Sequence, residues 1–489
     1  MNSGASDVRT RGYTPDIGFV KPLVLGGILV LAGVVRVLGW SHWSLWLDEA
    51  MSLDYARRGL KGLFSALVFD GNHPPGHYLV VYAVRRFSES DIALRLPSVL
   101  FGVGTTMALF FRCGAWRKTY VSLGAAFAFA VSPLAVHYGQ EVRPYAMALC
   151  FVAIADAARV TWRRSRSRLS LAVWVIASLI AAYTLYIAIV GLATMCAIEI
   201  AVAWRARRED PTHLRVALGV PLVVAGLYLP WLWVIRHGVS QPPGGAPRPS
   251  FEVIWGEFVG LAAGRDENLG RQWSALAIWA LWIAGMIKAN AEERSRLILD
   301  LAASTVGVLA ALSIANHWWS LRYVLLGLLP LCRGLGEAFE YAAAQRVGIF
   351  RRAQVATLAC TIMLVQGHAL AENIESGRVD WRRAAAYLEY SGNHGRDGAI
   401  VAADGWAFFC LRAQTLRLEN PKDVTLASSV GELQAKIASL RDGWIARAPH
   451  YKVSKDIDDV LRPTPPWAIV HEADDVHLYR FESGRVVPP

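Results

Sequence analysis

The chain is divided by uninterrupted apolar runs long enough to cross a bilayer, and a backbone threaded repeatedly through hydrocarbon has few folds open to it. Within lipid every peptide N–H and C=O must find a partner in the protein, so runs of this kind become helices packed in a bundle. Apolar windows give about eleven candidate spans, beginning near Phe19, Asp91, Tyr120, Val142, Leu169, Tyr186, Leu214, Trp273, Leu297, Leu321 and Arg352. With 54% hydrophobic and 18% charged residues, the composition fits an all-α polytopic membrane protein better than a water-soluble globule. The segment MNSGASDVRTRGYTPDIGFVK precedes an apolar run without a small-residue cleavage pattern, which reads as a cytoplasmic tail and an uncleaved first helix.

A net charge of +11 would suggest nucleic acid in a soluble protein. Here the basic residues gather between apolar runs: Arg112 with Arg117 and Lys118, Arg163 to Arg168, Arg205 to Arg215, Lys288 to Arg296, and Arg346 to Arg352. These are alternate connections, and the positive-inside rule places all of them in the cytoplasm of a multi-pass inner-membrane protein. The charge therefore reports topology, and no nucleic-acid partner is expected. The opposite connections, around His137, Tyr186 and Asn316, carry little positive charge.

The long segments Ser41 to Ser90 and Arg236 to Gln272, the latter with the turn-rich QPPGGAPRPS, then face outward, as does the polar tail. The tail alternates helical patterns (Asp380 to Tyr390, Val430 to Leu440) with short apolar strands (Ala399 to Ala403, Gly443 to Ala448, Trp467 to His471). A transmembrane domain over residues 1–370 and a small extracytoplasmic α/β domain over 371–489 are expected. No internal repeat of fixed period stands out. Cys113, Cys150, Cys196, Cys332 and Cys360 lie in or beside apolar runs, leaving Cys410 in the tail, so neither a disulfide framework nor a zinc site is indicated.

The first outer segment opens SLWLDEAMSLDYARRG, which sets Asp48 and Glu49 just past the first span. A carboxylate there can deprotonate a hydroxyl or hold a divalent ion against a phosphate leaving group, given a site that excludes bulk water. The same dipeptide also occurs as ordinary solvated loop acids, and Trp43, Trp46 and Tyr55 mark only an interfacial position. Further on, DGNHPPGHYLVV uses Pro74, Pro75 and Gly76 to force a turn that presents His73 and His77 beside Tyr78. Arg95 in SDIALRLPS sits inside an apolar stretch, where a charge is costly unless paired or snorkelling. SPLAVHYGQEVRPYAMAL brings Glu141, Arg143 and Tyr145 to the same side, and HWWSLRYVLLGLLP brings Arg322 and Tyr323. The planar fork of arginine suits a phosphate diester, although each arginine alone is also what an interfacial anchor looks like.

In this order, SLWLDEAMS, NHPPGHYLV, ALRLPS, HYGQEVRPYAMAL and LRYVLLGLLP resemble the GT-C membrane glycosyltransferases. The branch it is most similar to comprises the bacterial relatives of dolichyl-phosphate-mannose protein mannosyltransferases and of aminoarabinose transferases. The resemblance covers about the first three quarters of the chain. It implies that Asp48 is the catalytic base and that Glu49 supports it. It implies a donor-phosphate contact for Arg95, a cavity lined by Arg143, Tyr145, Arg322 and Tyr323, and Glu141 as a second acidic group. Where the family often carries a basic residue soon after the paired prolines, this sequence has Gly76 and His77. The lumenal β-trefoil of the eukaryotic protein mannosyltransferases has no counterpart.

The implied reaction moves one hexose or pentose from a polyprenyl-phosphate donor to a lipid, glycan or protein acceptor at the outer face, inverting the anomeric centre. Asp48 draws the acceptor proton, and the arginines with His73 hold the departing phosphate. No nucleotide or resident cofactor is called for, while a divalent ion stays open. A transporter or flippase of lipid-linked sugars also has many spans, but its charges belong near the midplane at broken helices. An oligosaccharide transferase with DxD-bound metal would need a spacing that DE lacks. Asp404, at the end of an expected strand, is either a ligand residue or, more simply, a helix cap.

Overall fold

The computed structural model describes residues 20–40, 43–238, 250–264, 269–310, 320–344, 348–375, 381–393, 398–418, 421–440, 442–448, 457, 461, 466, 468–470, 476–482 and 485–487. It is a helical bundle carrying a small C-terminal sheet. The helices run α1 (Val20–Val37), α2 (Leu47–Arg57), α3 (Gly59–Asp70), α4 (Gly76–Arg85), α5 (Asp91–Arg112), α6 (Thr119–Val131), α7 (Pro133–Gly139), α8 (Pro144–Ser165), α9 (Arg168–Ala182) and α10 (Tyr186–Arg205). They continue with α11 (Pro211–Gly238), α12 (Phe251–Ala263), α13 (Leu269–Lys288), α14 (Ala291–Ala302), α15 (Leu328–Ala343) and α16 (Gly348–Glu375).

Four of these, α5, α8, α10 and α11, are long and apolar enough to cross a membrane, and α6 with α7 makes a fifth if that bent pair is one span. The apolar runs are therefore not all continuous helices. The run from Tyr120 bends by 61° at the Ser132–Pro133 break. Proline cannot donate to the Phe129 carbonyl, which keeps a 3.4 Å bond from Ser132 N, and the Ala130 carbonyl lies beside it. Both are taken up by the buried guanidinium of Arg36, which reaches them from α1 at 3.4 and 3.1 Å. The run from Leu297 passes through a π turn, Ala303–Gly307, and the one from Leu321 opens as short 3-10 turns before α15. The N-terminal tail, the connection at Asn316 and QPPGGAPRP lie outside the described residues.

The segment between α1 and α5, expected to face outward, is folded rather than looped. Helix α2 starts with half of a capping box, Trp46 N–H donating to Glu49 Oε2 at 3.2 Å. Gly71, at φ 67°, ends α3 in the left-handed region that favours glycine. Gly76 N–H donates to the Tyr183 carbonyl at 2.7 Å, and a Cβ on Gly76 would stand as close to that oxygen, so only glycine lets the HPPG turn dock on the α9–α10 connection. Helix α5 is capped by Ser90, whose Oγ accepts from Ala93 N at 3.3 Å, and Pro144 at the first turn starts α8.

The tail forms a mixed sheet of six strands in the order β2 (Val424–Leu426), β1 (Ala399–Ala402), β3 (Gly443–Arg447), β5 (Val476–Glu482), β4 (Ala468–Val470), with β6 (Arg485–Val487) also on β5. The β1 pairings are parallel and those of β5 antiparallel. Helices α17 (Trp381–Asn393), α18 (Gly405–Thr415) and α19 (Val430–Leu440) flank it. Asp380, Trp467 and His471, at the edges of the expected elements, lie outside the described residues. Asp404 is a cap: its Oδ1 accepts from Ala407 N at 2.7 Å and its Oδ2 from Ala448 N at 2.9 Å. The tail shares one apolar core with the back of α2, where Ala50 and Leu53 pack with Trp381, Cys410 and Leu411. A fully buried leucine of this kind contributes about 1.5–3 kcal/mol, which ties the helix carrying Asp48 to both parts of the molecule.

Candidate active site

A cavity of about 280 Å³ opens where α2, α3, α4, the start of α8, the α9–α10 connection and the Leu321–Tyr323 turn converge. Asp48, in the first turn of α2, is its centre. Its Oδ2 lies 2.8 Å from Arg322 Nη1 and 3.4 Å from Arg143 Nη2. Arg143 also donates to the Asp48 carbonyl at 3.3 Å, and its Nη2 is 3.4 Å from His73 Nε2. Arg143 precedes α8 in extended conformation, and its guanidinium lies over the buried ring of Tyr145, with Cζ 5.7 Å from the centroid. Arg322 stands in the same relation to Tyr323 at 5.5 Å. Each arginine is thus aimed by an aromatic face and a carboxylate, and both present N–H groups to one space.

Beneath this layer lies a clamp. Glu49 is fully buried, and Arg95 grips it with Nε at 3.0 Å and Nη2 at 2.7 Å. The remaining donors of Arg95 go to the carbonyls of Trp40, of Trp43 at 3.0 Å and of Ser44 at 3.1 Å. Glu49 Oε1 also accepts from Val142 N at 2.9 Å, one residue before Arg143. All five N–H donors of Arg95, the expected donor-phosphate contact, go to protein acceptors in this structure, and the residue does not line the cavity. Arg95 and Glu49 hold α2 and the start of α8 at a fixed distance.

No protein-family model and no curated protein matches the sequence. Solved structures do. ArnT from Cupriavidus metallidurans bound to undecaprenyl phosphate is 13% identical, with a TM-score of 0.57 over 95% of this chain and 98% of that one. Its apo form is 14% identical, with a TM-score of 0.54 over 94% and 98%. The oligosaccharyltransferase of Archaeoglobus fulgidus, tethered to an acceptor peptide, is 11% identical with a TM-score of 0.50, covering 88% of this chain and 69% of that one. The fold is of the GT-C type.

Within this GT-C bundle, Asp48, His73, Arg143, Arg322 and Tyr323 line one cavity, whereas Glu49, His77, Arg95, Glu141 and Tyr145 stand behind it. His77 is buried edge-on against Tyr78, and burial, with the Arg143 charge beside it, lowers its pKa to about 3. It is neutral at physiological pH and does not line the cavity. Glu141 is also buried, with Oε1 3.2 Å from His137 Nε2, and its carbonyl accepts from Ser98 Oγ at 2.6 Å. The cavity also contains Asp70, Asn72 and Tyr186, which sequence reasoning did not single out. Asp70 ends α3 and looks like any helix terminus in FSALVFDG; only the fold brings it opposite Asp48. Among the described residues no group of three or more His, Cys, Asp and Glu side chains is arranged to hold a metal ion.

Proposed function

We propose that the chain is a membrane glycosyltransferase that moves a single sugar from a polyprenyl-phosphate carrier to a hydroxyl-bearing or phosphate-bearing lipid, glycan or protein. The observation that carries this reading is the Asp48 carboxylate held between Arg143 and Arg322 in a cavity at the end of apolar helices. The GT-C fold supports it, as does the polyprenyl phosphate bound by one of the similar structures. The donor phosphate exchanges into the two arginine forks, which stabilise the charge that develops as the carbon–oxygen bond to phosphate breaks. Phosphate binding draws the guanidiniums from Asp48 and frees that carboxylate to take the proton of the attacking hydroxyl. His73 adds a ring nitrogen beside Arg143, and Tyr323 walls the sugar. A single displacement inverts the anomeric centre.

The same reading takes the apolar runs as about eleven spans with a cytoplasmic N-terminus, and divides the chain into the bundle, 1–370, and an outward domain, 371–489. The placement of the basic residues supports it. Helices α5 and α8 end on Arg112 and on Arg163 and Arg164, at the connections read as cytoplasmic. Against a transporter stands the location of the cavity at helix ends rather than at a broken helix in mid-span. The test is sugar transfer from radiolabelled polyprenyl-phosphate sugars in membranes holding equal amounts of wild type or Asp48→Asn. Transfer by the wild type and its loss by about 10²–10⁴-fold in the variant support the reading; equal transfer by both removes Asp48 from the chemistry.

A further inference from the structure

Asp70 is the group in the cavity that this reaction leaves unused. It faces the same space as Asp48, but the two carboxylates keep different company. Asp48 has two guanidiniums on one oxygen, whereas Asp70 accepts a hydrogen bond from Asn72 Nδ2 at 2.6 Å and makes no ion pair among the described residues. A charge count with the donor bound separates their roles. Arg143 and Arg322 supply two positive charges, and Asp48 and the phosphodiester supply two negative ones. A third negative charge in a small, partly closed cavity would stand uncompensated.

Burial, reinforced by the nearby Asp48, raises the Asp70 carboxyl above the usual range, and the opposing pull of Asn72 and Arg143 does not reverse this. The other groups around it are the phenols of Tyr55, Tyr78 and Tyr186, with His73 across the cavity. Phenols are neutral at physiological pH and cannot balance a carboxylate. Of the two cavity carboxyls, the one without a guanidinium on it is the one placed to act as an acid.

Resting on the transfer reaction above, we propose that Asp70 enters the reaction as a neutral carboxylic acid and gives its proton to the departing phosphate oxygen. The step balances. The bond from the anomeric carbon to the phosphate oxygen breaks with its electron pair going to that oxygen, which receives the Asp70 proton. The acceptor oxygen forms the new bond to carbon and gives its own proton to Asp48. The site is left with Asp48 protonated and Asp70 ionised, and proton exchange through water restores both. The acid form of Asp70 is present below its raised pKa and lost as pH rises through it, so its contribution fades on the alkaline side.

The test uses the full-length protein in detergent, with undecaprenyl phosphate as the probe, and compares wild type, Asp70→Asn and Asp70→Glu from about pH 5 to about pH 9. At the acid end Asn and Asp should bind the lipid phosphate alike. At the alkaline end Asp70→Asn should bind at least about tenfold more tightly than wild type, because the ionised Asp70 repels the phosphate. In the transfer assay Asp70→Asn should lower kcat by about 10²-fold with KM little changed and should remove the alkaline limb of the wild-type profile, while Asp70→Glu restores part of both. Equal binding by wild type and Asp70→Asn at every pH, with unaltered kcat, overturns the role of Asp70. A wild type that binds no undecaprenyl phosphate overturns the transfer reaction instead, so the two failures are distinguishable. Unfolding temperatures of the three proteins separate a folding defect from a chemical one.

Discussion

The two ends of the bundle both hold an aspartate among arginines, in different surroundings. At the cavity end Asp48 meets Arg143 and Arg322, and Arg322 keeps 29% of its side chain exposed. At the other end Asp156 of α8 is gripped by Arg112 and by Arg159, the latter at 2.5 Å, with Arg333 at 3.9 Å. Arg159 also pairs with Glu199, which lies 2.6 Å from His213 Nε2, and Arg333 reaches Glu293 and Asp300 at 2.6 Å each. Along α8 the step from Arg143 to Arg159 is roughly 24 Å at the helical rise, close to the thickness of a hydrocarbon core. The difference lies in closure. In the Asp156 network charge answers charge across α5, α8, α10, α14 and α15, beside a small cavity of about 50 Å³; at Asp48 the arginines are paired more loosely and open onto one of about 280 Å³.

If that contrast holds, breaking the closed network should cost structure and breaking the open one should cost function. Asp156→Asn leaves three guanidiniums short of an anion and should destabilise the protein by about 3–5 kcal/mol, seen as a large fall in unfolding temperature in detergent. An unchanged unfolding temperature would mean that the network is not a lock. Glu49→Gln weakens the clamp under the cavity; a loss of about 2–3 kcal/mol in stability together with most of the transfer activity is expected, and activity at wild-type level would show that α2 needs no such support. Arg322→Ala should leave the fold intact and weaken binding of undecaprenyl phosphate by about 1.5–3 kcal/mol, the range for a hydrogen bond to a charged group. Titration of that affinity decides it.

Smaller effects sharpen the same distinction. His77 has a folded pKa of about 3, well below its unfolded value, so the unfolded chain binds the extra proton as pH falls below about 6.5. Stability should then decline by about 1.4 kcal/mol per pH unit over that window, and His77→Gln should flatten the slope. Arg412 joins α18 to Asp54 of α2 and to Asp423 at 2.6 Å, at a quarter-exposed position. Arg412→Ala should cost only about 0.5–1 kcal/mol, and a larger loss of activity than of stability would make the C-terminal domain a positioning element for Asp48.

The residues of the open site were legible because their chemistry is exposed in short motifs: DE after the first span, RPY at the start of α8 and LRY before α15. What could not be read was pairing. Glu49 and Arg95 form a buried ion pair 46 residues apart, which leaves no local pattern, and the fold alone shows that each satisfies the other. Asp70 carried no signal, being an acid at a helix end beside a glycine. Asp156 and Glu199 did carry one. Each is a lone acid in an apolar run, CFVAIADAARV and CAIEIAVAW, and such an acid must be paired or functional. The sequence leaves open which, because the partners come from other helices. The eleven-run reading overlooked local breaks such as Ser132–Pro133 and the π turn in Ala303–Gly307, because hydropathy averages over them.

The most direct measurement is a structure of the protein with undecaprenyl phosphate in a lipid nanodisc. The account predicts phosphate density between Arg143 and Arg322, with Asp48 released from at least one of them and Arg95 still closed on Glu49. Phosphate density at any other place, with the Arg143–Asp48–Arg322 pairing unbroken, would contradict it.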